Sequence, residues 1–232
     1  INRTGVDAID VGMVPTPVVY FAAHHFGTQS CIAVTGSHNP PDYNGLKLVI
    51  DGETLHGEAI QEIRRRGAEE GVGAGRTGAI RSEEIVDIYV ERIVSDVRLD
   101  RPLAVAVDCG NGVAGAVAPR LLERLGCRVV PLFCEVDGSF PNHHPNPSEP
   151  ENLAEVVRTV KAQGLDLGIA FDGDGDRLGV VDGAGRIVWA DRQMILFARD
   201  ILARHPGAGI IFDVKCSRHL GAAIREAGGK PL

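Results

Sequence analysis

Short apolar runs alternate with amphipathic stretches along almost the whole chain, and that alternation limits the fold more than any other feature. Runs at 7–11, 31–34, 46–50, 103–107, 128–133, 166–171 and 210–214 read as strands, the one at 31–34 as a buried strand. Stretches at 16–27, 56–66, 82–97, 113–125, 151–163, 191–204 and 217–227 read as helices. Thr16-Pro17 opens the first of these as an N-cap followed by proline, and Gly27 stops it. Ser82 opens the third, with Ile85, Ile88, Tyr89 and Ile93 on one face. A hairpin at 178–181 and 186–189 turns on Asp182-Gly183-Ala184-Gly185. The pattern predicts an α/β fold of mixed, largely parallel sheets layered with helices. Residues 67–79 are glycine-rich and read as a loop close to a domain boundary, and 141–150 hold four prolines and read as another loop.

Composition matters mainly for what it excludes. A net charge of −7 over 232 residues argues against non-specific nucleic-acid binding. The five cysteines, Cys31, Cys109, Cys127, Cys134 and Cys216, form no CxxC pair, which fits reduced thiols better than a disulfide framework or a zinc site. No apolar run approaches the ~20 residues of a membrane helix, and no signal-peptide pattern opens the chain, so a cytoplasmic protein is expected. The chain lacks an initiator Met, its first strand is already under way, and it stops where a turn should feed another strand, so a fragment is expected.

Two segments carry chemistry. After the strand at 166–171 come Asp172-Gly173-Asp174-Gly175-Asp176-Arg177. Carboxylates at alternate positions cannot share a helix face, and the glycines let the backbone bend and gather them. Carboxylates about 5 Å apart repel by about 3 kcal/mol per pair at an effective dielectric of about 20, so a cation is the natural occupant. An all-oxygen set without His or Cys favours Mg²⁺ over Zn²⁺. An EF-hand is excluded, because its sixth and twelfth loop positions would be Arg177 and Gly183.

The second segment, Thr35-Gly36-Ser37-His38-Asn39-Pro40, sits at the carboxyl end of a strand, where α/β sheets place their sites. Ser37 is a hydroxyl nucleophile or phosphate carrier, His38 is placed to exchange a proton or donate to a phosphate, and Lys47 to neutralise phosphate charge. Pro40-Pro41 stiffens the exit. No G-x-S-x-G elbow exists, which disfavours a Ser-His-Asp hydrolase.

Gly110-Asn111-Gly112-Val113-Ala114-Gly115 matches G-x-G-x-x-G between a strand and a helix, so an NAD-binding oxidoreductase is a rival reading. Glu135 and Asp137 come late for the ribose-binding acid, and this reading leaves the aspartate loop unexplained. His143-His144 reads as part of a surface loop rather than a metal pair; His24-His25 lie on the first helix, one expected buried and one exposed.

Taken together, Thr35 to Pro40 and Asp172 to Arg177 resemble the phosphoserine loop and the metal loop of the α-D-phosphohexomutase superfamily. Residues 41–45 and 108–115 look nearest to its bacterial phosphomannomutase/phosphoglucomutase branch, and Thr-Gly-Ser in place of Ser-Ala-Ser favours hexose over glucosamine substrates. The resemblance implies 1-phosphate to 6-phosphate interconversion on hexose phosphates through phospho-Ser37 and a hexose 1,6-bisphosphate. It also implies one Mg²⁺ per site between Asp172, Asp174, Asp176 and Ser37, with Arg177, His38 and Lys47 around the phosphate and Lys215 near the phosphosugar. The expected partner is a small phosphosugar, with no nucleic acid and no membrane. Residues 1–82 would be the end of the family's first domain, 83–187 its second and 188–232 the beginning of its third. A non-catalytic module that binds Mg²⁺ and anions is the alternative for such a fragment.

Overall fold

The computed structural model describes residues 1–40, 42–68 and 75–232. Pro41 and residues 69–74, the middle of the expected glycine-rich loop, lie outside the described residues.

The first elements are β1 (Ala8–Asp10), α1 (Thr16–His25), β2 (Cys31–Val34), β3 (Leu46–Ile50), β4 (Glu53–Thr54), α2 (Glu58–Ala68), β5 (Ile80–Ser82) and α3 (Val86–Asp96). The strands β2, β3 and β4 form an antiparallel sheet in that order, with Cys31 opposite Val49 and Val34 opposite Leu46. Only Ala33 of β2 is buried and Val34 is 66% exposed, so this strand is not the buried one expected from its apolar run. Ser82 closes a strand instead of opening a helix: β5 runs parallel to β1, with Asp10 opposite Ser82. Such a pairing, made 72 residues along the chain, leaves no local signature. α1 packs on α3 through Val18, Ala22 and Ile85, with Phe21 and Tyr89 beside them, while Ile88 faces outward.

The next elements are β6 (Ala104–Asp108), α4 (Ala118–Arg124), β7 (Arg128–Leu132), α5 (Ala154–Gln163), β8 (Leu167–Phe171), β9 (Leu178–Asp182) and β10 (Ile187–Val188). They build a five-stranded sheet ordered β10-β9-β8-β6-β7. β6 pairs in parallel with both β7 and β8, and the β8-β9 and β9-β10 pairings are antiparallel. The parallel bias expected from the sequence is therefore confined to β1-β5, β6-β7, β6-β8 and the pair described below.

Strand period two explains the two cores of this sheet. Val105 and Val107 face one side, with Ala114, Ala118 and Cys127; Ala106 faces the other, with Leu153, Val156, Val160 and Val181. Leu153 is fully buried, a contribution of about 1.5–3 kcal/mol. The helix expected at 113–125 splits into a 3₁₀ turn at Val113–Ala116 and α4, with a proline in the first turn of α4. Gly164, at φ 60°, closes α5 in the left-handed cap expected of it.

The last elements are α6 (Ala190–Arg204), β11 (Gly209–Ile210), α7 (Arg218–Glu226) and β12 (Lys230–Pro231). Leu202, Ile210, Leu220 and Ile224 form their core, and β11 runs parallel to β12. The strand expected at 210–214 stops at Ile210, and Ile211 and Val214 are exposed. Asp191 does not cap α6 but accepts a hydrogen bond from Ser217 N (3.1 Å), tying α6 to the start of α7. Among the described residues, no helix is long and apolar enough to cross a membrane. For the site, the decisive feature is that β6 and β8 run side by side, so the loops that follow Asp108 and Phe171 leave the same edge of the sheet.

Candidate active site

β8 delivers Asp172 into a turn organised by its own side chain. Asp172 Oδ1 accepts from Asp176 N and Arg177 N, both at 3.0 Å, and Gly175 N donates to Asp172 O at 3.0 Å. The two glycines of the loop do different things. Gly175 sits at φ 71°, a left-handed conformation that suits glycine. Gly173 allows close approach, since a Cβ there would lie 2.3 Å from Ser37 O. Behind it, Val113 N donates to Gly173 O at 3.1 Å.

The result is a cage. One oxygen from each of Asp172, Asp174 and Asp176 lies within 4.8 Å of the others. Asp172 is 0% and Asp174 4% exposed, while Asp176 faces solvent more. Asp174 Oδ2 accepts from Thr16 Oγ1 and Lys47 Nζ, both at 2.6 Å, and Lys47 Nζ also reaches Asp176 Oδ2 at 2.6 Å. Asp174 Oδ1 is buried and has no hydrogen-bond partner among the described residues. Burial pushes the Asp172 carboxyl above the usual range, and the neighbouring carboxylates add to this. Burial pushes Asp174 the same way, but hydrogen bonds from Lys47 and Thr16 outweigh it and hold the group below the usual range. Burial works against the Lys47 ammonium, and the two carboxylates reverse that and raise its pKa. A mainly buried, all-oxygen set with one buried oxygen unpartnered fits a hard divalent cation such as Mg²⁺.

The serine loop meets this cage directly. Ser37 Oγ donates to Asp172 Oδ2 at 2.9 Å, across 135 residues of sequence. Ser37 has φ 51°, a region costly for a side-chain-bearing residue, of order 1–3 kcal/mol. Thr35 Oγ1 holds it there by accepting from Ser37 N at 2.8 Å. Lys47 stands opposite Ala33 across the β2-β3 pairing, which aims its long side chain at the aspartates. Ser37, Lys47, Asp172, Asp174 and Asp176 are thus brought together. His38 is half-buried beside Ser37, and Arg177 is exposed at the end of the loop, where it lines a cleft of about 400 Å³ with Ser148, Trp189 and Gln193. Lys215 makes no hydrogen bond or ion pair to these five residues: its side chain is 85% exposed and its ammonium lies 3.5 Å from Asp213.

Sequence reasoning missed two parts of the site. Thr16, taken as a helix cap, is the first residue of α1, and its hydroxyl and amide both go to Asp174. Its place between Pro15 and Pro17 was the available signal, since two prolines fix the backbone around it. The second lies at the end of β6, the strand beside β8: His143 Nε2 is 3.1 Å from both oxygens of the fully buried Asp108, which also accepts from Gly110 N at 2.8 Å. In the G-x-G-x-x-G stretch of the rival reading, Gly112 and Gly115 make room for the protein's own backbone. A Cβ at Gly112 would lie 2.7 Å from Gly173 O, and one at Gly115 2.0 Å from Cys134 O. These close approaches serve the chain's own packing, and a 3₁₀ turn stands where the dinucleotide reading requires a helix N-terminus. His24 and His25 are both exposed, and the His25 ring packs against Phe21 and Phe26.

Residues 1–71 match the family model described as phosphoglucomutase/phosphomannomutase, alpha/beta/alpha domain I, and residues 87–185 match that of alpha/beta/alpha domain II. A phosphomannomutase/phosphoglucomutase of Pseudomonas aeruginosa is 54% identical over 228 residues, 98% of this chain and 49% of its own length. A phosphoglucomutase of Neisseria gonorrhoeae is 50% identical over 233 residues, 100% of this chain and 51% of its own. The crystal structure of a phosphoglucomutase/phosphomannomutase family protein from Burkholderia thailandensis superposes with a TM-score of 0.94 at 51% identity, covering 100% of this chain and 52% of that one. The chain spans about half the length of the relatives it matches. The serine loop and the aspartate cage both fall inside the matched segments, and the chain belongs to the phosphoglucomutase/phosphomannomutase family.

Proposed function

We propose that this chain carries the phosphoryl-transfer centre of a hexose-phosphate mutase, with Ser37 as phosphate carrier and one Mg²⁺ held by Asp172, Asp174 and Asp176. The observation that carries this reading is the contact between Ser37 Oγ and Asp172 Oδ2 at 2.9 Å, beside a buried Asp174 oxygen without a hydrogen-bond partner among the described residues. A phosphate on Ser37 brings about −1.5 to −2 of charge next to three carboxylates. Lys47 alone cannot balance that, and a divalent cation supplies the missing charge and polarises the phosphoryl oxygens.

The chain's own residues then have defined work, because phosphoryl transfer depends on positioning and charge stabilisation. Asp172 Oδ2 orients the serine oxygen. Lys47 spends two N–H groups on Asp174 and Asp176 and keeps a third for a phosphate oxygen. His38 exchanges a proton at the substrate side, and Arg177 meets the anion from the cleft it lines. Lys215 is a phosphosugar contact on this reading. The serine phosphate passes to a hexose 1-phosphate, and the resulting 1,6-bisphosphate returns its other phosphate to Ser37. The names of the relatives support glucose and mannose phosphates as the substrate class. We place the protein in the cytoplasm, without nucleic-acid or membrane partners, and divide it at 82/83 and 187/188.

Intact-mass analysis after incubation with glucose 1,6-bisphosphate and Mg²⁺ tests the reading. One phosphate is expected on the parent chain, located at Ser37, and none on Ser37→Ala. Phosphate on Ser37→Ala would overturn the role of the serine. Mg²⁺ binding with no phosphate uptake by the parent would favour the non-catalytic module.

A further inference from the structure

Asp174 has two oxygens in unlike situations. Oδ2 is saturated, with Thr16 Oγ1 and Lys47 Nζ both donating to it at 2.6 Å. Oδ1 is buried with no partner among the described residues. Something must decide which oxygen faces inward. Lys47 does not do this alone, because its ammonium is shared with Asp176 and sits on a flexible stem that is 29% exposed. Thr16 is 2% exposed, lies at the start of α1 between Pro15 and Pro17, and has its own amide bound to Asp174 O at 2.9 Å. Its hydroxyl is the rigid donor of the two. Backbone and side chain of one residue thus clamp backbone and side chain of the other.

We infer that Thr16 is a positioning residue for the metal cage, which turns Asp174 so that Oδ1, the unpartnered oxygen, is the one offered to the divalent ion. Thr16 acts through Asp174 rather than as a ligand: its hydroxyl hydrogen is committed to Oδ2, and the grouped ligand oxygens are those of Asp172, Asp174 and Asp176. The inference rests on the metal reading given above and deepens it. It also connects the two parts of the chain at the point of chemistry: the start of α1, in the segment matching domain I, sets the geometry of a ligand in the segment matching domain II.

Removing a group that orients a metal ligand typically weakens metal affinity by about 10–100-fold. The test is a Mn²⁺ titration of the whole chain by calorimetry, on the parent and on Thr16→Val, Thr16→Ala and Thr16→Ser. The amide bond to Asp174 survives in all of them, so the variants differ at the hydroxyl. Val is the closest in shape, and Ala serves if the second methyl disturbs folding. The expected result is Mn²⁺ bound about 10–100-fold more weakly by Val and Ala, and within about threefold of the parent by Ser. Thermal unfolding in EDTA supplies the readout of a purely structural role, which would lower stability without ion while leaving the affinity unchanged. Parent-like affinity in Val and Ala overturns the inference, and so does a Ser variant as weak as Val. A parent chain that binds no Mn²⁺ is a different result, which overturns the metal reading itself and the inference with it.

Discussion

The aspartate loop leaves the middle strand of a five-stranded sheet, with a packed core on each face of that sheet. The serine loop leaves a three-stranded antiparallel sheet, from a strand with one buried residue, Ala33. The first loop is closed by its own hydrogen bonds around Asp172 and backed by Val113 N. The second holds Ser37 at a positive φ, and the described contacts that fix its hydroxyl come from the first. The aspartate loop is therefore rooted in the more fully packed part of the molecule, with Thr16 and Lys47 of the other part holding Asp174, and the nucleophile is docked onto it. A phosphate carrier on a separately supported loop can be aligned by the cage without the cage giving way, which is the preorganisation that phosphoryl transfer needs.

The largest effect should come from wedging the two regions apart. Gly173→Ala puts a Cβ 2.3 Å from Ser37 O, and backbone on both sides must move. A displacement near 1 Å costs about 100-fold in rate, so phosphate uptake by Ser37 should slow by about that factor or more in a rapid-quench assay, with the circular dichroism spectrum unchanged. A rate within threefold of the parent would show that the loops meet less closely than described. Next comes the contrast in packing. Leu153→Ala, in the more fully packed region, should cost about 2–5 kcal/mol in urea unfolding. Val34→Ala, exposed at the end of the strand before the serine, should stay within about 0.5 kcal/mol. Equal costs would erase the distinction between the regions.

Smaller still is the contact between Asp108 and His143 at the end of β6, the strand beside β8. Asp108 pulls the His143 pKa above its ordinary value, against the opposing effect of burial. A raised histidine contributes stability that is full below its unfolded pKa, about 6.5, and lost as pH rises through the folded value. His143→Leu should therefore cost about 1–3 kcal/mol at pH 6, with a smaller difference at pH 9. A gap that widens with pH would reverse the assignment. The smallest effect belongs to Asp166, at the far end of β8, whose carboxyl is held down to about 2 by Arg101 first and then by Ala104 N. Its contribution is present above the unfolded value of about 3.9 and lost as pH falls through about 2. In acid-unfolding curves, the difference between the parent and Asp166→Asn should be full at pH 5 and vanish near pH 2.

How much of this was legible in the chain depends on whether the cause is local. The bounds of β2 and β3 follow from apolar runs and the Asn44-Gly45 turn, and the structure has them at the expected residues. Their burial was not legible, because it depends on which elements cover each face. The place of Ser82 at a strand end is not legible, because a helix start and a strand end share residue preferences and the parallel partner lies far away in sequence. In the cage, three aspartates at alternate positions announce themselves, and Gly173 and Gly175 announce a bend. The division of labour between those glycines does not appear until Ser37 stands against one of them. Thr16 carries a helix-start signature that is equally consistent with capping, and only the fold turns its hydroxyl toward Asp174. His143 reads as a loop residue because Asp108, its partner, is 35 residues away.

The central claim is that a hydroxyl on one loop and three carboxylates on another serve the same ion. Electron–nuclear double resonance on the Ser37-phosphorylated chain loaded with Mn²⁺ reads this directly. The account predicts a strong phosphorus coupling to the bound Mn²⁺ that disappears in Ser37→Ala. Tightly bound Mn²⁺ with no phosphorus coupling in the phosphorylated chain would contradict it.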